Sequence, residues 1–168
     1  MSTQSHFTPQ EQAGFALVPP LESGDCLSRE EFERRSAAMP RLKNAEFIEG
    51  IVFVGSPVSE PHGETHSRLI SWLAVYAAHT AGIRAVDNAS LRLDAANVLQ
   101  PDAMLRIARG GQSTVESDGY VAGGPELVAE VALTSASRDL HSKLEVYCRH
   151  GVLEYIVWRV LEGDLDWF

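Results

Sequence analysis

Three polar residues interrupt stretches of interior-like composition, and their types are those of metal-assisted hydrolysis. Asp102 stands near the start of the strand-like run Leu99–Ile107, and Glu130 at the centre of the apolar run Glu126–Leu133. Lys143 falls on the apolar side of a helical pattern from Ser137 to Tyr147. A hard divalent cation such as Mg²⁺ takes one or two carboxylates and keeps waters for a substrate to displace. Two acids on adjacent strands can hold it, and a nearby lysine can orient or deprotonate the attacking water and offset charge in a phosphorane-like transition state. The same residues admit a structural reading, a buried Glu130–Lys143 pair with Asp102 as the turn residue of Gln100-Pro101-Asp102. Buried pairs give little net stability once desolvation is counted. On residues alone both readings stay open.

Other polar residues are candidates for the same place. His62 and His66 have the i, i+4 spacing of a helical metal pair, but no Glu follows His62, so HExxH and its zinc-protease chemistry are absent. The pair reads as partly buried packing or, for His62, as a ligand or hydrogen-bonding group biased to the neutral form by the helix N-terminus. His66 reads as structural. Glu46, two residues before Ile48 and on the same side of its strand, is either a third acid at the site or an exposed strand residue. Glu49 falls at a turn and reads as solvated. There is no GxSxG, GxxxxGK[ST] or GxGxxG, and Ser135 and Ser137 read as helix caps. The three tryptophans, Trp72, Trp158 and Trp167, lie in apolar patterns and read as core.

The elements that must position these residues follow from local signals. Residues 1–24, with Pro9, Pro19, Pro20 and Gly24, read as a flexible arm, and 25–168 as a single domain. Ser28 and Glu31 have capping-box spacing and open a short charged helix that Pro40 ends. Residues 45–55 read as a hairpin turning at Glu49-Gly50. Ser59-Glu60-Pro61 starts a helix whose face carries His62, His66, Leu69, Leu73 and Tyr76, with Gly82 at its C-terminal cap. Short strands are expected on either side of Asn88, then the Asp102 strand. Residues 108–125, rich in glycine, read as a long loop. The Glu130 strand leads through Thr134-Ser135-Ala136-Ser137 into the Lys143 helix, which Gly151 stops, and a last hairpin turns at Glu162-Gly163-Asp164. Strands outnumber helices in mixed order, the pattern of an α+β or α/β fold with a mixed sheet.

Composition bounds the rest. The 168 residues are 45% hydrophobic and 22% charged, ordinary for one globular domain. Cys26 and Cys148 are far apart, which excludes a cysteine zinc site and points to reduced bystanders. With no basic-plus-apolar leader and no membrane-length apolar run, the expectation is a cytoplasmic protein with no membrane partner. The formal net charge of −9 argues against tight, non-specific nucleic-acid binding. Residues 62–112 nevertheless carry five arginines against four acids, so this segment is net +1 and the remainder −10.

Several ordered motifs are shared with a known family. Glu46-Phe47-Ile48-Glu49-Gly50, Ser56-Pro57 with His62, Gln100-Pro101-Asp102, Leu127-Val128-Ala129-Glu130-Val131, and Asp139 to Tyr147 followed by Gly151-Val152-Leu153-Glu154-Tyr155 occur in sequence. Over residues 28–168 the chain resembles the Uma-two family of restriction-endonuclease-like proteins, within the PD-(D/E)XK nuclease superfamily. The resemblance implies a central mixed sheet flanked by helices, and a Mg²⁺- or Mn²⁺-dependent endonuclease acting on DNA. In it Asp102 and Glu130 match the metal-binding acids. The superfamily's usual lysine position, two residues past the second acid, holds Ala132, and Lys143 on the following helix stands in for it. Gln100 and Tyr147 match supporting positions, and His62 and Glu46 match polar positions near the site. Members of that family usually continue past the strand that ends here at Phe168, so the resemblance implies an open sheet edge or a weakened homodimer contact. The acidic charge and the abrupt end favour a rival, a catalytically silent binding or assembly domain; retention of all three site residues opposes it.

Overall fold

The computed structural model describes residues 18–42 and 44–168. Residues 1–17 of the expected arm lie outside the described residues. Within 18–24, Leu21 is buried against Phe32 and Val52, and the Gly24 N–H donates to the Val52 carbonyl.

In chain order the elements are α1 (Arg29–Ala37), the hairpin β1 (Ala45–Ile48) and β2 (Ile51–Val54), and α2 (Glu60–His79). There follow β3 (Ile83–Asp87), β4 (Leu91–Arg92), β5 (Val98–Leu99), β6 (Ala103–Ile107), β7 (Thr114–Val115), β8 (Val121–Ala122) and β9 (Leu127–Ala132). A short α3 (Ala136–Arg138) runs through a π-helical turn (Asp139–Lys143) into α4 (Leu144–Arg149), and β10 (Glu154–Arg159) and β11 (Asp164–Trp167) close the chain. The strands form two sheets, β2-β1-β5-β4-β8-β7 and β11-β10-β9-β6-β3. In the second, β9 and β10 run parallel and the other neighbours antiparallel, so the fold is α+β with a mixed central sheet.

Alternation along β9 sets the layering. All six of its residues are buried. Leu127, Ala129 and Val131 pack with Leu69 and Leu73 of α2. Val128 and Ala132 face the other way, into a core shared with Val146 and Tyr147 of α4 and with Ile48, Leu91, Leu99 and Val121 of the first sheet. Period-two geometry puts Glu130 on that second side. α1 covers the far face of the first sheet, with Phe32 stacked on Phe47 at 5.2 Å between ring centroids. Among the described residues no helix is long and apolar enough to cross a membrane.

Four local expectations are corrected. The run Leu99–Ile107 is not one strand: β5 belongs to the first sheet and β6 to the second, with the chain crossing between them at Gln100-Pro101-Asp102. Pro101 has no N–H to continue a ladder. The loop 108–125 contains β7 and β8, two-residue strands too short to leave a periodic signal. α2 ends at His79, where the Thr80 N–H bonds Ala77, and Gly82 instead turns the chain into β3 with φ +83°. Trp72 and Trp167 are exposed and pack edge to face at 6.0 Å, and Tyr76 is half exposed. An apolar pattern identifies a face and not whether another element covers it.

Candidate active site

Asp102 and Glu130 meet where β6 and β9 run side by side. In their antiparallel register Ala103 lies opposite Ala129, so the residue before β6 comes next to the middle of β9. The Val131 N–H donates to Asp102 Oδ2 at 2.7 Å, and the Asp102 N–H lies 3.5 Å from Glu130 Oε2. Each acid is thus tied to the backbone of the other's segment. Asp102 opens on the cavity, whereas Glu130 is 4% exposed.

Lys143 lies behind this pair, 3% exposed, inside a cage of carboxylates. Its Nζ is 2.8 Å from Glu46 Oε1, 3.0 Å from Glu130 Oε1 and 3.5 Å from Asp139 Oδ1. Burial works against the ammonium, but the charges of Glu130, Glu46 and Asp139 outweigh it and raise its pKa. These carboxylates thus favour the charged form of Lys143. Burial pushes the Glu130 carboxyl well above its ordinary range, and Asp139, Asp102 and Glu46 add to this against the pull of Lys143. The Tyr147 hydroxyl, itself held protonated by burial and by Glu130, donates to Glu130 Oε1 at 3.0 Å.

Glu46 proves to be a buried member of the cluster, as its shared face with Ile48 allows. Gln100 supports it through the backbone, its N–H donating to Glu46 Oε1 at 3.1 Å, while its side-chain amide bonds the Asn88 carbonyl. Asp139 was not among the expected residues. Its position four residues before Lys143 and four after Ser135 was the available signal. Burial raises its pKa despite Lys143, and Ser135 donates its hydroxyl to Asp139 Oδ2 instead of capping the helix. The helix over 137–147 is also not continuous α-helix, since its centre is the π turn that carries Asp139 and Lys143.

The two histidines separate. His62 Nε2 is 3.7 Å from Asp102 Oδ2, and that carboxylate raises the imidazole pKa, which overrides the neutral bias expected from the helix terminus. His66 Nε2 sits 3.0 Å from both the Asp102 carbonyl and Asp87 Oδ1, a bracing role in keeping with the structural reading. Asp102, whose burial alone would raise its pKa, is held below the usual value by His62 and the Val131 N–H. Glu49 is exposed and paired with Arg149.

These groups line a polar cavity of about 270 Å³. Among the described residues its lining holds four acidic side chains (Glu46, Asp102, Glu130, Asp139) against one lysine and one arginine, a formal balance of two negative charges with every acid ionised. Among the described residues no three His, Cys, Asp or Glu side chains are grouped as a ready-made cation cage. The donor set is instead a pair. Asp102 Oδ1 takes no hydrogen bond among the described residues, and Glu130 Oε2 takes only the long one from Asp102. Two open carboxylate oxygens in a doubly negative, roomy cavity fit a divalent cation that keeps most of its waters.

Comparison with known proteins agrees with this arrangement at the level of the fold and family. Residues 29–168 match the Uma2 family, whose description is "Putative restriction endonuclease". Among solved structures, the crystal structure of "a putative nuclease belonging to DUF820" from Anabaena variabilis is similar at a TM-score of 0.56 and 17% identity. The match covers 74% of this chain and 75% of that one, a likeness of fold. No curated protein matches.

Proposed function

The chain belongs to the Uma2 family, and from that premise we propose that it is a divalent-metal-dependent endonuclease hydrolysing phosphodiester bonds in DNA. One observation carries the reading: Asp102 and Glu130 line one cavity with the Asp102 N–H 3.5 Å from Glu130 Oε2, and the Lys143 ammonium lies 3.0 Å from Glu130 Oε1. Mg²⁺ or Mn²⁺ on these two carboxylates would polarise a phosphoryl oxygen and lower the pKa of an attacking water. Lys143 orients the Glu130 carboxylate and sets positive charge near the oxygens that gain negative charge in the transition state. Glu46 and Asp139 hold Lys143 in place, so neither acts as a free base. Tyr147 fixes the Glu130 rotamer, and His62 holds Asp102 from the other side.

The test is cleavage of supercoiled, linear and single-stranded DNA in Mn²⁺, alongside calorimetric titration of Mn²⁺. Wild type should cleave at least one form, Glu130→Ala should cleave none, and Mn²⁺ binding should vanish in Asp102→Ala/Glu130→Ala. Cleavage of no form, or cleavage unchanged in Glu130→Ala, refutes the reading and leaves a nuclease-fold binding or assembly domain.

A further inference from the structure

Among the described residues the cavity is lined by two permanent cations, and they stand in opposite situations. Lys143 is committed to three carboxylates. Arg138 is a third exposed, and its nearest carboxylate among the described residues is Glu46 at 3.9 Å, beyond hydrogen-bond range. Among the described residues its Nε is shielded from water and without a hydrogen-bond partner, whereas its two terminal NH₂ groups are not shielded. A shielded N–H left without an acceptor is unfavourable in a finished structure and calls for an explanation. The guanidinium carbon lies 5.3 Å from the centre of the Phe53 ring. Stacking uses the face of the planar ion and leaves the N–H groups in its plane available.

The π turn explains how both cations reach one cavity. Arg138 immediately precedes the turn and Lys143 ends it, five residues on. In an α-helix of 3.6 residues per turn, side chains five apart diverge by about 140°. The i→i+5 bonding of a π turn brings residues five apart onto one side. Without it, Lys143 could face Glu130 only if Arg138 faced away. The first turn of α2 also lines the cavity, and there Ser59 makes no side-chain cap bond.

We propose, building on the DNA reading, that Arg138 is the phosphate anchor of this cavity, with its two terminal NH₂ groups taking the oxygens of a backbone phosphodiester. Guanidinium is the side chain best matched to that anion, since two parallel N–H groups meet two oxygens. A surface of net charge −9 and a cavity with four carboxylates repel DNA. Arg138 supplies the attraction that Lys143 cannot.

The experiment is equilibrium binding of a short labelled DNA duplex to the full chain with Ca²⁺ as the added cation, between about 50 and 200 mM salt. Wild type, Arg138→Lys and Arg138→Gln are compared. Losing one phosphate contact should make the log–log salt slope shallower by about 0.9 in Arg138→Gln, with affinity down roughly tenfold at the lowest salt. Arg138→Lys should keep the slope, and Tm should match wild type in both variants, which a merely structural role would not produce. An unchanged slope and affinity in Arg138→Gln overturns the proposal, as does a wild type that binds no DNA. A wild type that binds through Arg138 yet cleaves nothing overturns the nuclease reading and leaves the anchor standing.

Discussion

Replacing Lys143 by methionine tests the charge balance on which the candidate site depends. The substitution keeps a long, flexible apolar side chain and removes a cation that lies within 3.5 Å of Glu46, Glu130 and Asp139, all three of them buried. Removing one partner of a buried ion pair costs about 3–5 kcal/mol because the other charge is left uncompensated. For a chain of this length that corresponds to roughly 6–20 °C in Tm. The cost should depend on pH, with a defined sign. Burial and mutual repulsion already raise the folded-state pKa of Glu130 and Asp139, and losing Lys143 raises them further. Between the unfolded and folded pKa values the native state then binds more protons than the unfolded chain, so stability falls as pH rises through that window. Urea denaturation of Lys143→Met should therefore show the largest loss near pH 8 and a smaller one near pH 5. Adding Glu130→Gln should recover part of the loss, with a coupling of about 1–3 kcal/mol in the double-mutant cycle. A loss under about 1 kcal/mol at pH 8, or one that ignores pH, would refute the view that Lys143 balances this cluster.

Three further outcomes are expected. Mn²⁺ at a hundredfold excess over its Kd should stabilise wild type by about 2.7 kcal/mol, and differential scanning fluorimetry should show no such gain for Asp102→Ala. Gly124→Ala should destabilise by about 3 kcal/mol, because its Cβ would lie 2.3 Å from the His150 carbonyl oxygen and 3.1 Å from the Val152 nitrogen. Gly82→Ala, at φ +83° in open space, should lose only about 1–2 kcal/mol, and equal losses in the two variants would contradict the packing around Gly124. Ser28→Ala should cost about 0.5–1 kcal/mol in denaturant, since its hydroxyl accepts the Glu31 N–H at 3.3 Å; no change would mean that the cap does not hold α1.

The sequence was most legible where one local rule decides the geometry. Glu49-Gly50 reads as a hairpin turn because both residues must take positive φ, and they do, at 52° and 81°. Ser28 caps α1 as its spacing requires. Period two puts Glu130 on the side of Val128 and Ala132 and Glu46 on the side of Ile48, although for Glu46 the pattern left an exposed position equally open. Legibility failed where two geometries share one pattern. The π turn is invisible to a 3.6-residue period, so Asp139 was missed although it adjoins Lys143 in space. Leu99–Ile107 is apolar throughout whether its halves join one sheet or two, and only the missing N–H of Pro101 hints at the break. Trp72 and Trp167 look like core in sequence, because a pattern cannot say that their two elements meet at the rim.

Ala132 ties the fold to the site. Two residues past Glu130, it points to the same side of β9, where it is 1% exposed and packs with Val146 and Tyr147 of α4. A lysine there would occupy the volume into which α4 now fits. With alanine instead, the helix comes close enough for Tyr147 to reach Glu130 Oε1 at 3.0 Å from one turn and Lys143 to reach the same oxygen at 3.0 Å from the turn before. On β9 a flexible lysine would be ordered by the site alone, whereas Lys143 is ordered by Glu46 of β1 and by Asp139 of its own π turn. The first sheet thus contributes a carboxylate to a site that otherwise belongs to the second. The Asp102–Glu130 pair depends in turn on packing between layers, which is why the two-sheet core and the acid–lysine cluster should be lost together in denaturation.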